Sequence, residues 1–319
     1  MNVFFIHRSF CPGCRSADVR TLKTCSYTES PLKEYLHDFY KDLGPGIPLE
    51  FLDGSEFILD ECSNCGLVYQ NQVPNNFLLK KLYDEWIDPK IIHEMYKKNR
   101  RAHYFFWLAK ETTRILEYLD KPPASISFLD FGMGWGNWCM IAKGFGCDVY
   151  GTDLADTRMD QARELGVKPV PWKELGNHKF DVINAEQVFE HLTDPLATLM
   201  YLKTALKPEG IIRINVPPGW DVKRRLDSWN WQAQQGDPDW LNMVAPLQHI
   251  NCYNYNALFT IGTAAGLSVV ETAKLDEDKT RKSFCDKLKQ AIKPMYYAIR
   301  PSKRHSNSDE RSGSIFLTH

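Results

Sequence analysis

Two Cys-x-x-Cys pairs lie in the N-terminal quarter of the chain, and they consist of Cys11 with Cys14 and Cys62 with Cys65. Each pair forms a short turn that directs two thiolates toward one point, and four thiolates are the donor set of a closed, tetrahedral, structural zinc site. Such a pair also carries out thiol–disulfide chemistry when it lies in a βαβ unit, but neither pair here has that context. The cysteines therefore predict a structural zinc ion.

A glycine-rich stretch, FLDFGMGWGN at residues 128–137, has a spacing suited to ligand binding. Its glycines follow a short apolar run, at the point where a predicted strand turns into a helix. In α/β sheets this turn lies closest to the ligand, because ligands bind at the carboxyl ends of the strands. Glycines remove Cβ atoms from the ligand's path, and the helix N-terminus offers free N–H groups. The G-x-G-x-G spacing differs from the G-x-G-x-x-G of dinucleotide sites, and a tight structural turn is the alternative.

These residues must be positioned by strands and helices that alternate along the chain. Val- and Ile-rich runs alternate with segments long enough for two or three helical turns, which predicts an α/β fold with a Rossmann-like, doubly wound, parallel sheet. Asp153 falls at the end of the second predicted strand, where a carboxylate can bind ribose hydroxyls. The predicted strands are 126–131, 147–154, 167–171, 180–185, 210–217 and 267–272, followed by the C-terminal segment SIFLTH.

Changes in composition divide the chain into four predicted parts. Residues 1–75 read as short strands and turns that form a small zinc-ribbon-like domain, and residues 76–123 as a helical linker or cap. Residues 124–275 form the α/β domain, with a lid insertion at 219–247. Residues 276–319 contain a basic amphipathic helix, a loop and a final strand. A solvated face is the ordinary interpretation of that helix, and binding of an anionic substrate or a membrane surface is the alternative.

Four stretches resemble successive motifs of class I S-adenosylmethionine-dependent methyltransferases, in the order of that family: FLDFGMGWG, VYGTDLA, FDVINAEQVFEHLTDP and LKPEGIIRINVPP. The resemblance implies methyltransferase activity, with the α/β part as the cofactor-binding domain. It also implies cofactor contacts for eight residues: Asp130, Gly132, Gly134 and Gly136 at the methionine end, Asp153 at the ribose, Leu154 beside the adenine, and Ala185 and Gln187 at the sulfonium.

Three residues are candidate general bases for activating a methyl acceptor. Glu190 and His191 follow the strand at 180–185, where ubiquinone-type O-methyltransferases bind a metal through E-x-x-E-H. Gln187 replaces the first glutamate of that motif, so we expect no such metal. His249 resembles the histidine of a Glu–His base in sugar C-methyltransferases, but Gln248 replaces the glutamate, so the imidazole is expected to lack a carboxylate partner. For both histidines a structural, hydrogen-bonded role is the alternative.

The stretch CSNCGLVYQNQVPNNFLLKKLYDEW resembles the zinc-binding leader of sugar and other small-molecule methyltransferases. This implies a small-molecule acceptor, such as a sugar or nucleotide-linked sugar of polysaccharide or natural-product biosynthesis, methylated on O, C or N. In the lid insertion, tryptophans beside cations favour an acceptor site that stacks on a ring and grips a phosphate. A hydrophobic cluster under a loop is the alternative. The residues concerned are Trp220, Trp229, Trp231, Trp240, Lys223, Arg224 and Arg225.

Bulk composition restricts the remaining function classes. The chain has 319 residues and a net charge of −1, so it has no basic field for nucleic acid. It has no apolar run long enough to span a bilayer and no signal-peptide pattern, and we expect a cytoplasmic protein. The alternatives are an RNA or protein methyltransferase that docks through its zinc domain, a non-catalytic binding module, and a nicotinamide oxidoreductase. Oligomeric state is not predicted.

Overall fold

The computed structural model describes residues 2–271 and 313–319, so the predicted basic helix lies outside the described residues. No helix in these two ranges has the length and apolar character needed to cross a membrane. The strands are β1 Phe5–His7, β2 Val19–Ser26, β3 Glu56–Cys62, β4 Val68–Gln70, β5 Gln72–Pro74, β6 Ser127–Phe131, β7 Asp148–Thr152, β8 Lys168–Pro169, β9 Phe180–Glu186, β10 Leu206–Asn215, β11 Asn251–Cys252, β12 Ser268–Val269 and β13 Ser314–Thr318. The helices are α1 Leu32–Tyr40, α2 Asn76–Lys81, α3 Pro89–Asn99, α4 Ala102–Leu119, α5 Asn137–Gly144, α6 Asp156–Glu164, α7 Pro195–Thr204, α8 Val222–Ser228 and α9 Tyr255–Ala264.

The largest sheet has seven strands in the order β12-β13-β10-β9-β6-β7-β8. Strands β10, β9, β6, β7 and β8 pair in parallel, and β13 is inserted antiparallel between β10 and β12. The central strand β9 is buried along nearly its whole length because helices cover both faces. The mostly parallel sheet confirms the predicted doubly wound α/β fold. Its carboxyl edge carries the glycine loop after β6 and the turn after β9.

A second sheet, which we call the leader sheet, has four antiparallel strands in the order β11-β4-β3-β2. Three strands come from the first 75 residues, which we call the leader. The fourth strand, β11, comes from the α/β part, and its Asn251 pairs with Tyr69 and its Cys252 with Val68. Buried residues of the leader, including Leu67 and Tyr69, belong to the same hydrophobic cluster as Ile183 of β9. The leader is therefore packed into the main core.

The first 75 residues also contain a helix, α1, where the sequence pattern predicts only short strands and turns. Leu32, Leu36 and Tyr40 are its buried residues, spaced four apart on one face of the helix. The Tyr40 hydroxyl donates to the Pro246 carbonyl at 3.2 Å and accepts from Gln248 Nε2 at 2.9 Å. The helix therefore contacts the segment that precedes His249.

The linker begins with α2, whose first turn is capped by Asn75. The side-chain oxygen of Asn75 accepts a hydrogen bond from the Leu78 N–H at 3.0 Å, which satisfies a donor that the helix itself cannot. A single π-helical turn, Leu82–Trp86, follows directly. Such turns displace side chains from the regular helical face and are frequent at functional sites. This turn brings Tyr83 to the edge of the α/β domain.

Candidate active site

The glycine loop joins β6 to α5 and has an unusual backbone at each glycine. Gly132, Gly134 and Gly136 all have positive φ angles, of 71°, 54° and 74°. A Cβ on Gly132 would lie 2.5 Å from Val188 Cγ2, and one on Gly136 would lie 2.9 Å from Leu165 Cδ1, so these two glycines are also required for packing. A Cβ on Gly134 would meet nothing within 4 Å. The loop therefore leaves open space at its middle glycine, as a ligand-binding loop does.

Asp153 follows β7 and lies beside this loop. Its carboxylate accepts hydrogen bonds from the Gly134 N–H at 3.0 Å and the Ala155 N–H at 3.1 Å. Arg158 forms an ion pair with it at 3.2 Å. The loop after β6 and the loop after β7 are thus joined by one carboxylate, at the position predicted for ribose binding.

Asp130 is 1% exposed and lies beneath the glycine loop. It accepts a hydrogen bond from Asn184 Nδ2 at 2.8 Å, and burial raises its pKa to about 7. Arg213, on β10, extends the row by donating to Asn184 Oδ1 at 2.9 Å and to Glu186 Oε2 at 2.6 Å. This polar row crosses three adjacent strands inside the sheet. In this structure Asp130 supports the loop from within rather than facing solvent.

The remaining predicted cofactor contacts occupy the same edge of the sheet. Leu154 is 93% exposed, which is unusual for a leucine beside a well-packed loop. Ala185 is fully buried in β9. Gln187 has a left-handed backbone, with φ of 55°, and its N–H donates to the Asn215 carbonyl at 2.7 Å. The edge therefore combines an uncovered apolar side chain with a sharp turn after β9.

Glu190, His191 and His249 converge just past this turn, and we call them the Glu-His-His cluster. Their potential ligand atoms all lie within 4.8 Å of one another. His191 Nε2 is 3.8 Å from Glu190 Oε1, and the centroids of the two imidazole rings are 4.9 Å apart. The two histidines that the sequence offers as separate candidates thus form one site.

Glu190 is the buried member of this cluster, and its carboxyl group lacks hydrogen bonds. It is 1% exposed, and neither of its oxygens has a hydrogen-bond partner among the described residues. Burial raises the pKa of Glu190 well above its usual value, because a charged carboxylate there would lose its hydration without compensation.

Backbone carbonyls fix the orientation of both imidazoles. His191 Nδ1 lies 2.8 Å from the Gln248 carbonyl, and His249 Nδ1 bonds to the Asn242 carbonyl. A carbonyl only accepts, so each Nδ1 carries the proton and each Nε2 presents a lone pair. Burial lowers the pKa of His191 to about 3 and that of His249 to about 4, so both rings are neutral. His249 is thus oriented by the Asn242 backbone carbonyl in place of the carboxylate that Gln248 replaces.

Tyr83 approaches the cluster from the linker. Its hydroxyl lies 3.2 Å from His191 Nδ1, and the two rings meet edge to face with centroids 6.3 Å apart. Burial raises the pKa of Tyr83, so it remains a neutral phenol. The π-helical turn of the linker thus forms one wall of the site.

The guanidinium of Arg8, in the leader, joins the two segments that carry the histidines. Arg8 Nη2 donates to the carbonyls of Leu192 and Thr193 at 3.1 and 3.0 Å, directly after His191. Arg8 Nη1 donates to the Ile250 carbonyl at 3.2 Å and to Asn251 Oδ1 at 2.8 Å, directly after His249. Nothing in the sequence pattern signals this role, because an early arginine reads as a surface charge.

Gln70, at the end of β4, holds the His249 segment from the other side. Its Nε2 donates to the Ala245 and His249 carbonyls, both at 3.1 Å, and its Oε1 accepts from the Leu247 N–H at 3.3 Å. Gln70 is fully buried, so these bonds replace ones it would make with water. The leader therefore positions the edge of the α/β domain that carries the Glu-His-His cluster.

The four predicted zinc ligands come together within the leader. Cys11 Sγ is 3.7 Å from Cys65 Sγ, and Cys14 Sγ is 3.5 Å from Cys62 Sγ. A tetrahedral zinc with Zn–S bonds of about 2.3 Å places its sulfurs about 3.8 Å apart. Asn64 Nδ2 donates to Cys14 Sγ at 3.4 Å, as an outer partner of a thiolate would. The spacing and donor set fit zinc.

The lid insertion packs against the leader rather than presenting free cations. Arg224 and Arg225 both pair with Asp221, at 3.1 and 2.9 Å, and Lys223 pairs with Glu61. Trp231 is 6% exposed within the core that contains α1. Trp231 therefore fits the alternative interpretation, a hydrophobic cluster under the loop. A phosphate would have to compete with the Asp221 carboxylate for Arg224 and Arg225.

A family model described as a methyltransferase domain matches residues 96–272, which is more than half of the chain. The chain belongs to this methyltransferase family. It is an S-adenosylmethionine-dependent class I methyltransferase, and the match includes the glycine loop, Asp153 and the whole Glu-His-His cluster. The leader, with its four cysteines, lies outside the matched residues.

Known proteins resemble this methyltransferase at moderate to low identity. It is 28% identical over 207 residues to a ubiquinone biosynthesis O-methyltransferase of Ruegeria pomeroyi, covering 59% of this chain and 79% of the relative. It is 26% identical over 182 residues to the protein of the same name from Cereibacter sphaeroides, covering 51% and 72%. The solved plantazolicin methyltransferase BpumL, in complex with SAH, is 18% identical with a TM-score of 0.45, covering 68% of this chain and 90% of that one.

Proposed function

We propose that this methyltransferase acts on a small-molecule acceptor and that the Glu-His-His cluster activates that acceptor. The observation that carries the proposal is the convergence of Glu190, His191 and His249 on the edge that also holds the glycine loop. The two sites are adjacent, since Val188 packs against Gly132 only two residues before Glu190. A bound acceptor can therefore lie beside the methyl donor.

We further propose that the predicted cofactor contacts are the binding residues for S-adenosylmethionine. The space at Gly134 and the carboxylate of Asp153 fit the methionine and ribose portions, and exposed Leu154 fits a flat base. When bound, the cofactor supplies a methyl group from a sulfonium sulfur, which keeps the bonding electron pair. The chain itself aligns the acceptor atom with that methyl group and assists the loss of the acceptor's proton.

Replacing His249 with glutamine should lower the turnover number by about 10²- to 10⁴-fold, the usual contribution of an acid–base or activating group. The measurement is transfer of labelled methyl groups from S-adenosylmethionine to the acceptor. His103→Gln, at an exposed position on α4, is the matched control and should keep full activity. Full activity of both variants would remove His249 from the mechanism.

The acceptor that we propose is a sugar or a nucleotide-linked sugar, in polysaccharide or natural-product biosynthesis. The resemblance of the leader to that of sugar methyltransferases supports this class. The names of the curated relatives favour O-methylation, of a ubiquinone precursor in their case. An acceptor panel of nucleotide sugars and hydroxylated aromatics, assayed with labelled cofactor, separates the two classes. Methylation of RNA or a protein alone would contradict the small-molecule proposal.

We also propose that Cys11, Cys14, Cys62 and Cys65 hold a structural zinc ion, which is supported by the sulfur spacing. We expect zinc analysis of the purified protein to find one tightly bound ion at the cysteines, and Cys62→Ser to lose it and lower the melting temperature, because the metal holds the leader against the main core. Cys25→Ser, outside the cysteine group, should retain the zinc. Wild-type stability that does not change on complete zinc removal would contradict a structural role.

A further inference from the structure

We propose that the Glu-His-His cluster binds a divalent cation through Glu190, His191 Nε2 and His249 Nε2. Two imidazole nitrogens and one carboxylate are a common donor set for divalent transition metals, and they leave further coordination positions open. One potential ligand atom from each of the three side chains lies within 4.8 Å of the other two, and His191 Nε2 is 3.8 Å from Glu190 Oε1. This inference deepens the proposed function, and the use of the ion in methyl transfer rests on that proposal, whereas the binding of the ion does not.

The orientation of the rings is the first support. Metal-binding histidines commonly donate their second ring N–H to a carbonyl, which fixes the tautomer and aims the lone pair at the metal. His191 and His249 both do so, toward the carbonyls of Gln248 and Asn242. The centroids of the two rings are also only 4.9 Å apart, a separation at which two imidazoles can share one ion.

The buried carboxyl of Glu190 is the second, independent support. Neither of its oxygens has a hydrogen-bond partner among residues 2–271 and 313–319, although the side chain is 1% exposed. Buried polar groups are nearly always satisfied, and an exception calls for an unseen partner such as an ion. A cation 2 to 2.2 Å away, at about the usual metal–oxygen distance, would supply that partner.

The proposed third ligand, His249, lies outside the E-x-x-E-H pattern on which the sequence expectation is based. The E-x-x-E-H pattern is incomplete because Gln187 replaces its first carboxylate, and on that ground no metal is expected there. The fold compensates by bringing His249 from a separate segment that Arg8 and Gln70 hold in place. The donor set thus changes from two carboxylates and one histidine to one carboxylate and two histidines, which favours transition metals over magnesium.

The site is also accessible to an acceptor. The His191 side chain is 27% exposed, so the cluster borders a surface rather than a closed core. An acceptor oxygen, such as a hydroxyl with a neighbouring hydroxyl or carbonyl, can therefore occupy the open positions and become more acidic there. The ligand class that we infer is a divalent transition-metal ion together with an oxygen-donor acceptor.

The test is a titration with Mn²⁺ of the full-length protein carrying no more than one zinc ion per chain, which the four thiolates bind, so that zinc does not occupy the Glu-His-His cluster. The titration is followed by the electron paramagnetic resonance signal of free Mn²⁺. Mn²⁺ is suited because thiolates bind it poorly, so the four-cysteine group does not interfere. We expect one Mn²⁺ bound per chain in the wild type. Glu190→Gln and His249→Gln should each weaken binding by at least about 100-fold, the upper end of what loss of an orienting partner alone produces. His103→Gln should bind as the wild type does.

Two readouts keep the result interpretable. Glu190→Gln preserves the shape of a side chain that makes no hydrogen bond, so its melting temperature in a chelator should equal that of the wild type. Calorimetry with S-adenosylhomocysteine on the same samples tests the proposed function separately. Absence of Mn²⁺ binding, or binding that neither variant weakens, overturns the metal site even where S-adenosylhomocysteine binds. Failure to bind S-adenosylhomocysteine contradicts the proposed cofactor site and leaves the metal result standing.

Discussion

Asp153→Ala should lower the affinity for S-adenosylhomocysteine by about 100-fold or more. Hydrogen bonds to a charged group contribute about 1.5–3 kcal/mol each, and a carboxylate that binds both ribose hydroxyls makes two of them. The substitution also releases the Gly134 N–H and leaves Arg158 without its ion-pair partner beside the site. Isothermal titration calorimetry gives the affinity directly, with NAD as the comparison ligand that should not bind.

Two further variants separate ligand binding from loop structure. Asp153→Asn removes the charge but keeps one oxygen, which can accept from either the Gly134 N–H or the Ala155 N–H, so its loss of affinity should be smaller than that of the alanine variant. Asp160→Ala, at an exposed carboxylate of α6 that pairs with Arg163, should bind as the wild type does. Wild-type affinity of Asp153→Ala would remove this carboxylate from the cofactor site.

Arg8→Met should lower the free energy of unfolding by about 3 kcal/mol or more. The change leaves the Thr193 carbonyl and Asn251 Oδ1 without their donor and removes one of the two donors to the Leu192 and Ile250 carbonyls. Each unsatisfied buried group costs about 1–3 kcal/mol. The same change should weaken Mn²⁺ binding, because Arg8 holds Leu192 and Ile250, next to the ligands of the proposed site. Chemical denaturation gives the first quantity and the Mn²⁺ titration the second.

Arg20→Met is the matched control for Arg8→Met. Arg20 is also a leader arginine, but its side chain is 67% exposed and pairs with Glu61 at 2.9 Å. Exposed ion pairs contribute about 0–1 kcal/mol, so this variant should remain close to the wild type in stability and in metal binding. Affinity for S-adenosylhomocysteine should be unchanged in both. Equal stability of the two variants would show that the Arg8 contacts do not hold the segments.

The features of the candidate site whose position follows from the sequence are the ones encoded locally. The strand before Gly132, the glycine spacing and Asp153 lie within one strand–loop–helix–strand unit, so periodicity and turn chemistry suffice to place them. The two Cys-x-x-Cys pairs are similarly informative, because each brings two ligands from one short turn. The structure places all four sulfurs in one group.

Contacts between distant segments could not be predicted from local pattern. His191 and the Gln248 carbonyl are 57 residues apart in sequence, and the Arg8 guanidinium and Ile250 are 242 apart. Periodicity carries no information about such pairs, so the histidines read as alternatives rather than partners. Arg213 is an instructive exception: a charged residue within the apolar run GIIRINVP signals a buried polar network, even though its partner Asn184 cannot be named.

The strand β11 has a consequence for how the chain folds as it is synthesised. The ribosome completes both cysteine pairs before the α/β domain, so the leader can bind the proposed zinc ion while that domain is still untranslated. Gln70, however, can accept its hydrogen bond from Leu247 only after 177 further residues have been translated. The strand β11, which completes the leader sheet, is translated after Leu247. Until then the exposed edge of β4 is open to pairing with a neighbouring nascent chain. We expect chaperone dependence to fall sharply once translation passes this strand.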